Sequence, residues 1–123
     1  MGKTSFPINI LQGSLKLLMT SLPWTSRPPS RVPGIYAIKR GKTVIYVGRS
    51  KNIRKRLTQH FSGKSQPVDK FLRGKSKRYK KQYIKLAWVK NKKQRCNEHR
   101  YIKGVKQLQK KHPVYNMKPG SSC

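Results

Sequence analysis

One carboxylate stands out in a chain that has almost no acidic side chains. The 123 residues include 31 lysines and arginines but only two acidic residues, Asp69 and Glu98. Glu98 lies in a segment with helical periodicity, where about 100° per residue puts it on the same face as Ile102 and Val105. A carboxylate on an inward helical face is costly unless a cation or a metal ion pairs with it. Glu98 is therefore the first candidate for chemistry.

The charge of the chain predicts a polyanionic partner. A formal net charge of +29 makes the chain repel itself, and binding to a polyanion would neutralise it and release counterions. Nucleic acid, either DNA or RNA, is the expected partner, and an anionic membrane surface is the weaker alternative. No run of about 18 apolar residues is present, so we expect no transmembrane helix.

Composition divides the chain into three parts. Residues 1–33 are a basic, proline-rich N-terminal extension, residues 34–118 are the predicted folded domain, and residues 119–123 are a tail. The extension has no acids, which fits either an organellar presequence or a basic arm that lies on RNA. Trp24 in the extension is expected either to stack on a base or to cover the core.

Two strand-like runs open the predicted domain. Residues 34–39 and 43–48 are rich in β-formers and are joined around Gly41, which predicts a hairpin. A three-residue loop would place Tyr36 opposite Tyr46 on one face, whereas a two-residue loop would place them on opposite faces. Because Gly41 can take the left-handed conformation that three-residue loops need, we favour the first register.

A helix of about ten residues is predicted after the hairpin. Ser50 or Asn52 would cap its N-terminus. Arg56 and His60, four residues apart, would lie along one edge of its apolar stripe. Residues 62–81 contain glycine, proline and many cations and are predicted to be a basic linker.

A third strand over residues 83–89 and a second helix from residue 95 to about residue 110 complete a ββαβα order. The expected fold is α/β, of the α+β type. It would consist of a small three-stranded antiparallel sheet flanked by helices, preceded by the basic extension.

The order of several residues resembles that of a known nuclease family. Gly34-Ile35-Tyr36 and Tyr46-Val47-Gly48, followed in order by Arg56, His60, Glu98 and Asn116, resemble the GIY-YIG nucleases. That family includes intron homing endonucleases, some restriction enzymes and the bacterial excision-repair incision subunit. The resemblance covers roughly residues 34–118, and Val47 replaces the isoleucine of the family name. The family fold, a small three-stranded antiparallel sheet with flanking helices, agrees with the predicted element order.

The resemblance implies a role for each matching residue. Glu98 would hold the metal ion, and Arg56 would bind the scissile phosphate, whose geometry suits a planar guanidinium. Tyr36 would orient or deprotonate the attacking water, and Tyr46 would assist by hydrogen bonding. A free tyrosine has a pKa of about 10, and we expect nearby cations such as Arg56 to lower it.

His60 and Asn116 would take supporting roles by the same resemblance. His60 would handle a second proton or contact phosphate, and Asn116 would brace the site through hydrogen bonds. Each residue also has a structural interpretation. The two tyrosines could be strand packing, Arg56 a solvated helix residue and His60 a residue at the edge of the core. Glu98 could be an ion-pair partner and Asn116 a turn residue.

The shortage of carboxylates limits the possible metal chemistry. Two-metal nucleases need several carboxylates to hold two ions about 3.5–4 Å apart. The chain has one acidic residue other than Glu98, namely Asp69, and Asp69 is expected to be a linker or helix-cap residue. The expected cofactor is a single Mg²⁺, or another divalent cation, held by one carboxylate, phosphate and water. A structural role would need no cofactor.

Further basic side chains are expected to contact phosphates without base specificity, although a charge run around Tyr79 could also be a solvated linker. They are Arg49, Lys51, Arg54, Lys75, Lys77, Arg78, Lys80 and Lys81.

The two cysteines predict no disulfide framework, so a reducing intracellular compartment is the default, with the mitochondrial matrix as one candidate. A scattered zinc set is a minor alternative because its spacing is loose. Its members would be Cys96, His99, His112 and Cys123.

Two functions from different classes follow. The leading hypothesis is a metal-dependent endonuclease that hydrolyses phosphodiester bonds. The alternative is a non-catalytic structural protein that binds ribosomal RNA in a ribosome, the mitochondrial ribosome included. The alternative draws on the charge, since a net charge of +29 works against release of a polyanionic product by a freestanding enzyme.

Overall fold

The structure is a computed structural model and describes residues 7–123. The first six residues of the predicted extension lie outside the described residues. The described part of the chain contains five helices and four strands. In chain order they are α1 (Ile8–Met19), β1 (Leu22–Pro23), β2 (Gly34–Arg40), β3 (Thr43–Ser50), α2 (Ile53–Ser62), α3 (Pro67–Arg73), α4 (Lys77–Tyr83), β4 (Ile84–Lys90) and α5 (Gln94–Gln109).

The four strands form one antiparallel sheet in the order β1-β4-β2-β3. The predicted three-stranded sheet is confirmed in β2, β3 and β4, and the two-residue strand β1 adds a fourth at the edge of β4. Leu22 pairs with Leu86, and Pro23 is tolerated because an edge strand leaves one side of its backbone unpaired. The fold is therefore the α+β class that the sequence predicts.

The hairpin loop has two residues rather than the predicted three. Arg40 pairs with Thr43, so Gly41 and Lys42 form the loop. Gly41 has a φ of 62°, the left-handed conformation that we expected. The predicted length was wrong because two-residue loops also need such a residue at their first position, so the glycine could not distinguish the two lengths.

A β-bulge gives the two tyrosines a common face in spite of the shorter loop. The register shifts by one residue at Ile45, which has no partner in β2. Tyr36 pairs with Gly48, two residues from Tyr46, so both rings project from the same face with their centroids 6.2 Å apart. The common face is confirmed, whereas the direct pairing of Tyr36 with Tyr46 was wrong.

The predicted helices and the last strand have nearly the expected bounds. α2 has ten residues, and Asn52 caps it by accepting a hydrogen bond from the backbone N–H of Lys55. Strand β4 begins at Ile84, one residue later than expected, and α5 ends at Gln109. None of the helices in residues 7–123 combines the length and the hydropathy that a membrane span requires.

The predicted linker, residues 62–81, contains two helices. Val68 and Leu72 are four residues apart and buried, so α3 has an apolar stripe that the many surrounding lysines obscure. Pro67 stands at the first helical position, where it favours a helix start rather than a break. Ser76 caps α4 by accepting from the N–H of Tyr79. The linker prediction was wrong because it weighed composition above these local signals.

The segment before residue 34 contributes to the core. Ile10 and Leu17 of α1 are buried with residues of α5 and of one sheet face. Trp24 packs against the opposite cluster, on the face of the sheet that α2 and α3 cover, with its ring 5.2 Å from Phe61. Trp24 therefore covers the core, one of its two expected roles.

A buried lysine ties α1 to the sheet. The Nζ of Lys39 donates to the carbonyl oxygens of Leu18 (2.6 Å) and Thr20 (2.8 Å) and to Ser21 Oγ (3.2 Å). Two of these acceptors lie at the C-terminal end of α1, where backbone carbonyls favour a cation. Burial lowers the pKa of Lys39, so these acceptors are what keeps the ammonium group stable inside the fold.

Leu17→Ala is expected to lower the free energy of unfolding by about 2–5 kcal/mol, because Leu17 is fully buried and its removal leaves a cavity. Leu15→Ala on the same helix is the matched control: Leu15 is 49% exposed, and its change should stay within about 0.5 kcal/mol. Urea denaturation followed by circular dichroism measures both. Equal, small effects would show that α1 is not part of the cooperative fold.

Candidate active site

Tyr36, His60 and Asp69 form a chain of short hydrogen bonds on the sheet face that α2 and α3 cover. The Tyr36 Oη lies 2.5 Å from His60 Nε2, and His60 Nδ1 lies 2.6 Å from Asp69 Oδ1. Tyr36 comes from the central strand β2, His60 from α2 and Asp69 from the first turn of α3. Tyr36, His60 and Asp69 are 0%, 2% and 4% exposed, so little water competes for their hydrogen bonds.

Burial shifts the pKa values of two members of this chain of hydrogen bonds, Tyr36 and His60. It raises the pKa of Tyr36 well above that of a free phenol. The charge of Tyr46 and, after it, that of Glu98 act in the same direction, whereas Arg56 opposes them through its charge and a hydrogen bond. The expectation that cations would lower this pKa was wrong, because desolvation outweighs them. Burial also lowers the pKa of His60, an effect that its bond to Asp69 partly offsets.

Tyr46 lies beside the Tyr36–His60–Asp69 hydrogen bonds, but its hydroxyl has a different hydrogen-bond partner. Its hydroxyl donates to Gln66 Oε1 at 3.2 Å, and its ring meets the His60 ring edge-on at 5.1 Å between centroids. Burial and the charge of Glu98 raise its pKa. Gly48 is required here, because a Cβ at that position would overlap the Tyr36 ring. The glycine of the second motif thus makes room for the tyrosine of the first.

An open cavity of about 390 Å³ extends from the tyrosines. It brings together Tyr36, Tyr46, Arg56 and Glu98, four of the six residues predicted for catalysis and metal binding. Its remaining lining residues are Arg49, Ser50 and Lys51. Three cations around one carboxylate form a surface that suits a phosphate group.

Glu98 faces this cavity from α5 and is held on one oxygen. Its Oε1 accepts hydrogen bonds from the Ser121 backbone N–H (2.8 Å) and Oγ (3.1 Å), and it lies 3.7 Å from Arg49 Nε. Its side chain is 15% exposed, while Ile102 and Val105 are buried as expected. Glu98 is therefore an ion-pair partner of Arg49 and also lines the cavity, and its role as the metal residue stays a prediction. The second carboxylate oxygen has no hydrogen bond to any described residue.

A second cavity of about 700 Å³ shares Tyr46 and Glu98 with the first. Residues 116–121 line much of it, and the last three of them belong to the tail. Gly120 has a φ of 93°, and a Cβ there would crowd the His99 backbone, so the tail docks tightly on α5. The tail thus forms one wall of the space around Glu98.

Asn116 holds the open edge of β3. Its Oδ1 accepts from the Val47 N–H, and its Nδ2 donates to the Val47 carbonyl, both at 2.8 Å. These bonds satisfy backbone groups that the edge strand would otherwise leave unpaired next to Tyr46. Asn116 therefore supports Tyr46 from outside the first cavity.

The other predicted phosphate contacts are spread over two regions. Arg49 and Lys51 line the first cavity, and Arg54 on α2 donates to the carbonyl of Pro28 at 3.4 Å. The remaining five lie in or just before α4, a helix with no buried residue, and they are Lys75, Lys77, Arg78, Lys80 and Lys81. Two of them cover aromatic rings: Lys75 lies 4.9 Å from the Tyr79 centroid, and Lys80 lies 4.7 Å from that of Trp24.

The structure does not bring the alternative zinc set together. Cys96 and Cys123 form a disulfide, which the sequence did not predict. Among the described residues, no group of three or more histidine, cysteine or acidic side chains could hold a metal ion. The compartment stays a prediction.

Sequence reasoning missed Asp69 and Gln66 as neighbours of the site. Asp69 was predicted to be a linker or cap residue, and it does cap α3 by accepting from the Gln66 N–H at 3.4 Å. Its contact with His60 follows from the fold of residues 62–81, which was not predicted. The available signal was the scarcity of acids, since the same argument that singled out Glu98 applies to Asp69.

The small antiparallel sheet carries a phenol paired with an imidazole. A guanidinium and a carboxylate line the same cleft. These features are those of a nuclease-type domain. The chain belongs to the UvrC-like GIY-YIG domain family, whose model matches residues 32–117. It is also similar to the UvrABC system protein C of Thermosipho africanus (strain TCF52B), with 46% identity over 37 residues. That alignment covers 30% of this chain and 7% of the relative. No solved structure matches.

Proposed function

We propose that this protein is an endonuclease that hydrolyses phosphodiester bonds of nucleic acid with the help of a divalent cation, Mg²⁺ in the first instance. One observation carries the proposal: Tyr36 of β2, Arg56 of α2 and Glu98 of α5 converge on a single open cavity. These are three of the groups that hydrolysis at phosphorus needs, namely a proton acceptor, a cation for the phosphate and a carboxylate for a metal ion.

The hydrogen-bonded chain supports a role for Tyr36 in activating water. Because its pKa is raised, Tyr36 is a neutral phenol before the reaction. It becomes a proton acceptor only if it gives up its own proton at the same time, and His60 Nε2 is 2.5 Å away to receive it. His60 would thus supply the basicity that the phenol lacks, and Tyr36, which lines the cavity, would contact the attacking water.

Arg56 and its cationic neighbours would bind the phosphate that is attacked. Arg56 is partly buried in α2, and its Nη1 donates to Gln59 Oε1 at 3.3 Å, which leaves further N–H donors for an anion. Arg49 and Lys51 line the same cavity. Their charges would stabilise the negative charge that grows on the phosphate oxygens in the transition state.

The donor set around Glu98 fits a single hard cation. One carboxylate oxygen is engaged by Ser121, and the other has no bond to a described residue. Such a site suits Mg²⁺, which keeps most of its waters and takes one or two carboxylates plus phosphate. Glu98 would hold the ion, which would supply charge stabilisation at the phosphate and the leaving oxygen.

The experiment that tests this function is cleavage of single- and double-stranded DNA and RNA, with Mg²⁺ or with EDTA. We expect cutting in Mg²⁺ and none in EDTA. Tight binding without cutting on every substrate would refute the proposal and favour the non-catalytic role in binding ribosomal RNA. Binding should weaken as salt rises under either outcome, so affinity alone cannot separate the two.

A further inference from the structure

Asp69, the second acid of the chain, is not among the residues that match the family motifs, so the resemblance gives it no role. We propose that Asp69 is a positioning residue that fixes the His60 imidazole in the tautomer able to accept the hydroxyl proton of Tyr36. The catalytic consequence rests on the proposed nuclease function, whereas the tautomer is a property of the protein alone.

The two hydrogen bonds of His60 determine where its proton lies. An ionised carboxylate can only accept hydrogen bonds, so Nδ1, at 2.6 Å from Asp69 Oδ1, carries the proton. In the neutral imidazole Nε2 is then an acceptor, and the group it faces at 2.5 Å is the Tyr36 hydroxyl. The opposite tautomer would leave the Asp69 carboxylate, which is nearly fully buried, facing a lone pair.

The carboxylate is itself held from two sides. Asp69 Oδ2 accepts from the backbone N–H of Gln66 at 3.4 Å, and Gly63 approaches so closely that a Cβ there would lie 2.8 Å from Oδ2. Rotation of the carboxylate away from His60 would break the cap of α3. The capping contacts at the N-terminus of α3 therefore also fix the orientation of His60.

Asp69 is also the one carboxylate that contacts His60. The groups that face His60 are Tyr36 from β2, Tyr46 from β3, Asp69 from α3 and Arg56 from its own helix. Arg56 and burial both disfavour a protonated imidazole, and Asp69 favours it. Asp69 would therefore stabilise the imidazolium that forms when the proton arrives.

The proton transfers balance over the reaction. Water gives a proton to Tyr36 Oη as the Tyr36 hydroxyl proton passes to His60 Nε2. The water oxygen forms its bond to phosphorus, the bond to the leaving oxygen breaks, and the leaving oxygen takes a proton from solvent. After the product leaves, His60 returns its proton to solvent through Tyr36.

Asp69→Asn tests the inference because it should invert the tautomer while keeping the helix cap. The amide oxygen of asparagine must stay on the Gln66 N–H, which places the amide NH₂ group against His60 Nδ1. Nδ1 then becomes the acceptor and Nε2 carries the proton, so Tyr36 loses its proton acceptor. We expect the cleavage rate to fall by about 100-fold or more, with little change in nucleic-acid affinity.

The direct readout is the ¹⁵N chemical shifts of the His60 ring in both proteins. Protonated Nδ1 in the wild type and protonated Nε2 in Asp69→Asn are the expected result. Protonated Nε2 in the wild type, or the same tautomer in both proteins, would overturn the inference. His99 and His112 should give unchanged signals and serve as internal references.

Ser76→Ala is the matched control for a damaged helix cap. It removes the side chain that caps α4, without contact with His60, and should leave the His60 tautomer and the cleavage rate unchanged. A comparable loss of rate in this variant would assign the Asp69 effect to folding. If the wild type cuts no substrate but the tautomer inverts, the proposed function fails and the positioning role stands.

Discussion

Glu98→Gln is expected to remove nearly all divalent-cation-dependent cleavage while leaving nucleic-acid binding intact or tighter. Glutamine keeps an oxygen that can accept from Ser121 but loses the negative charge that would hold the cation. Losing that charge stabilisation should reduce the rate by about 1,000-fold, which corresponds to about 4 kcal/mol in the activation barrier. The affinity should not fall, because the change removes a negative charge near the phosphate.

Single-turnover cleavage and a binding titration of Glu98→Gln, at several Mg²⁺ concentrations, check this expectation. Ser121→Ala is the control, since it removes the Oγ contact to Glu98 but keeps the backbone N–H bond. Normal cleavage by Glu98→Gln would show that Glu98 is not the metal residue. An equal loss in Ser121→Ala would instead locate the effect in the packing of the tail.

Tyr36→Phe is expected to reduce the cleavage rate by about 100- to 10,000-fold, because it removes the hydroxyl that links the attacking water to His60. The ring stays, so the core around it stays packed. Stability should fall by about 1–3 kcal/mol, since His60 Nε2 is left buried without its partner. Rapid-quench kinetics and thermal unfolding measure the two effects separately.

Tyr46→Phe is the matched variant for this prediction. The Tyr46 hydroxyl donates to Gln66 rather than to His60, so its loss should cost less, about 10-fold in rate. A larger loss in Tyr46→Phe than in Tyr36→Phe would exchange the roles of the two tyrosines.

In the wild type the rate should fall as the pH drops through the pKa of His60. Because burial lowers that pKa, the fall should begin below about pH 6.5.

Elements with a strong period were predictable from the sequence. The alternation in β2, β3 and β4 and the 3.6-residue period in α2 and α5 gave their bounds to within about two residues. Strand β1 was not predictable, because two residues have no periodicity and form a strand only by pairing with β4. Helices α3 and α4 were hidden by lysine and arginine, whose charge suggested a linker although Pro67 and Ser76 are helix-start signals.

The candidate site was predictable where its residues lie in fixed motifs. The structure gathers Tyr36, Tyr46, Arg56 and Glu98 in one cavity and places Asn116 on the strand edge beside them. The partner of His60 was not predictable, because Asp69 reaches it only through the fold of α3 against α2. The direction of the tyrosine pKa also failed, since the number of nearby cations is visible in a sequence and the depth of burial is not.

The ammonium group of Lys39 has a practical consequence for anyone who trims this protein to the limits of its family match. A fragment of residues 32–117 would keep Lys39 in the middle of the sheet but discard Leu18, Thr20 and Ser21, which supply its hydrogen-bond acceptors. It would also discard Ser121, which holds Glu98. The smallest recombinant unit for expression and crystallisation is therefore larger than the region that sequence similarity defines, and it includes α1 and the tail.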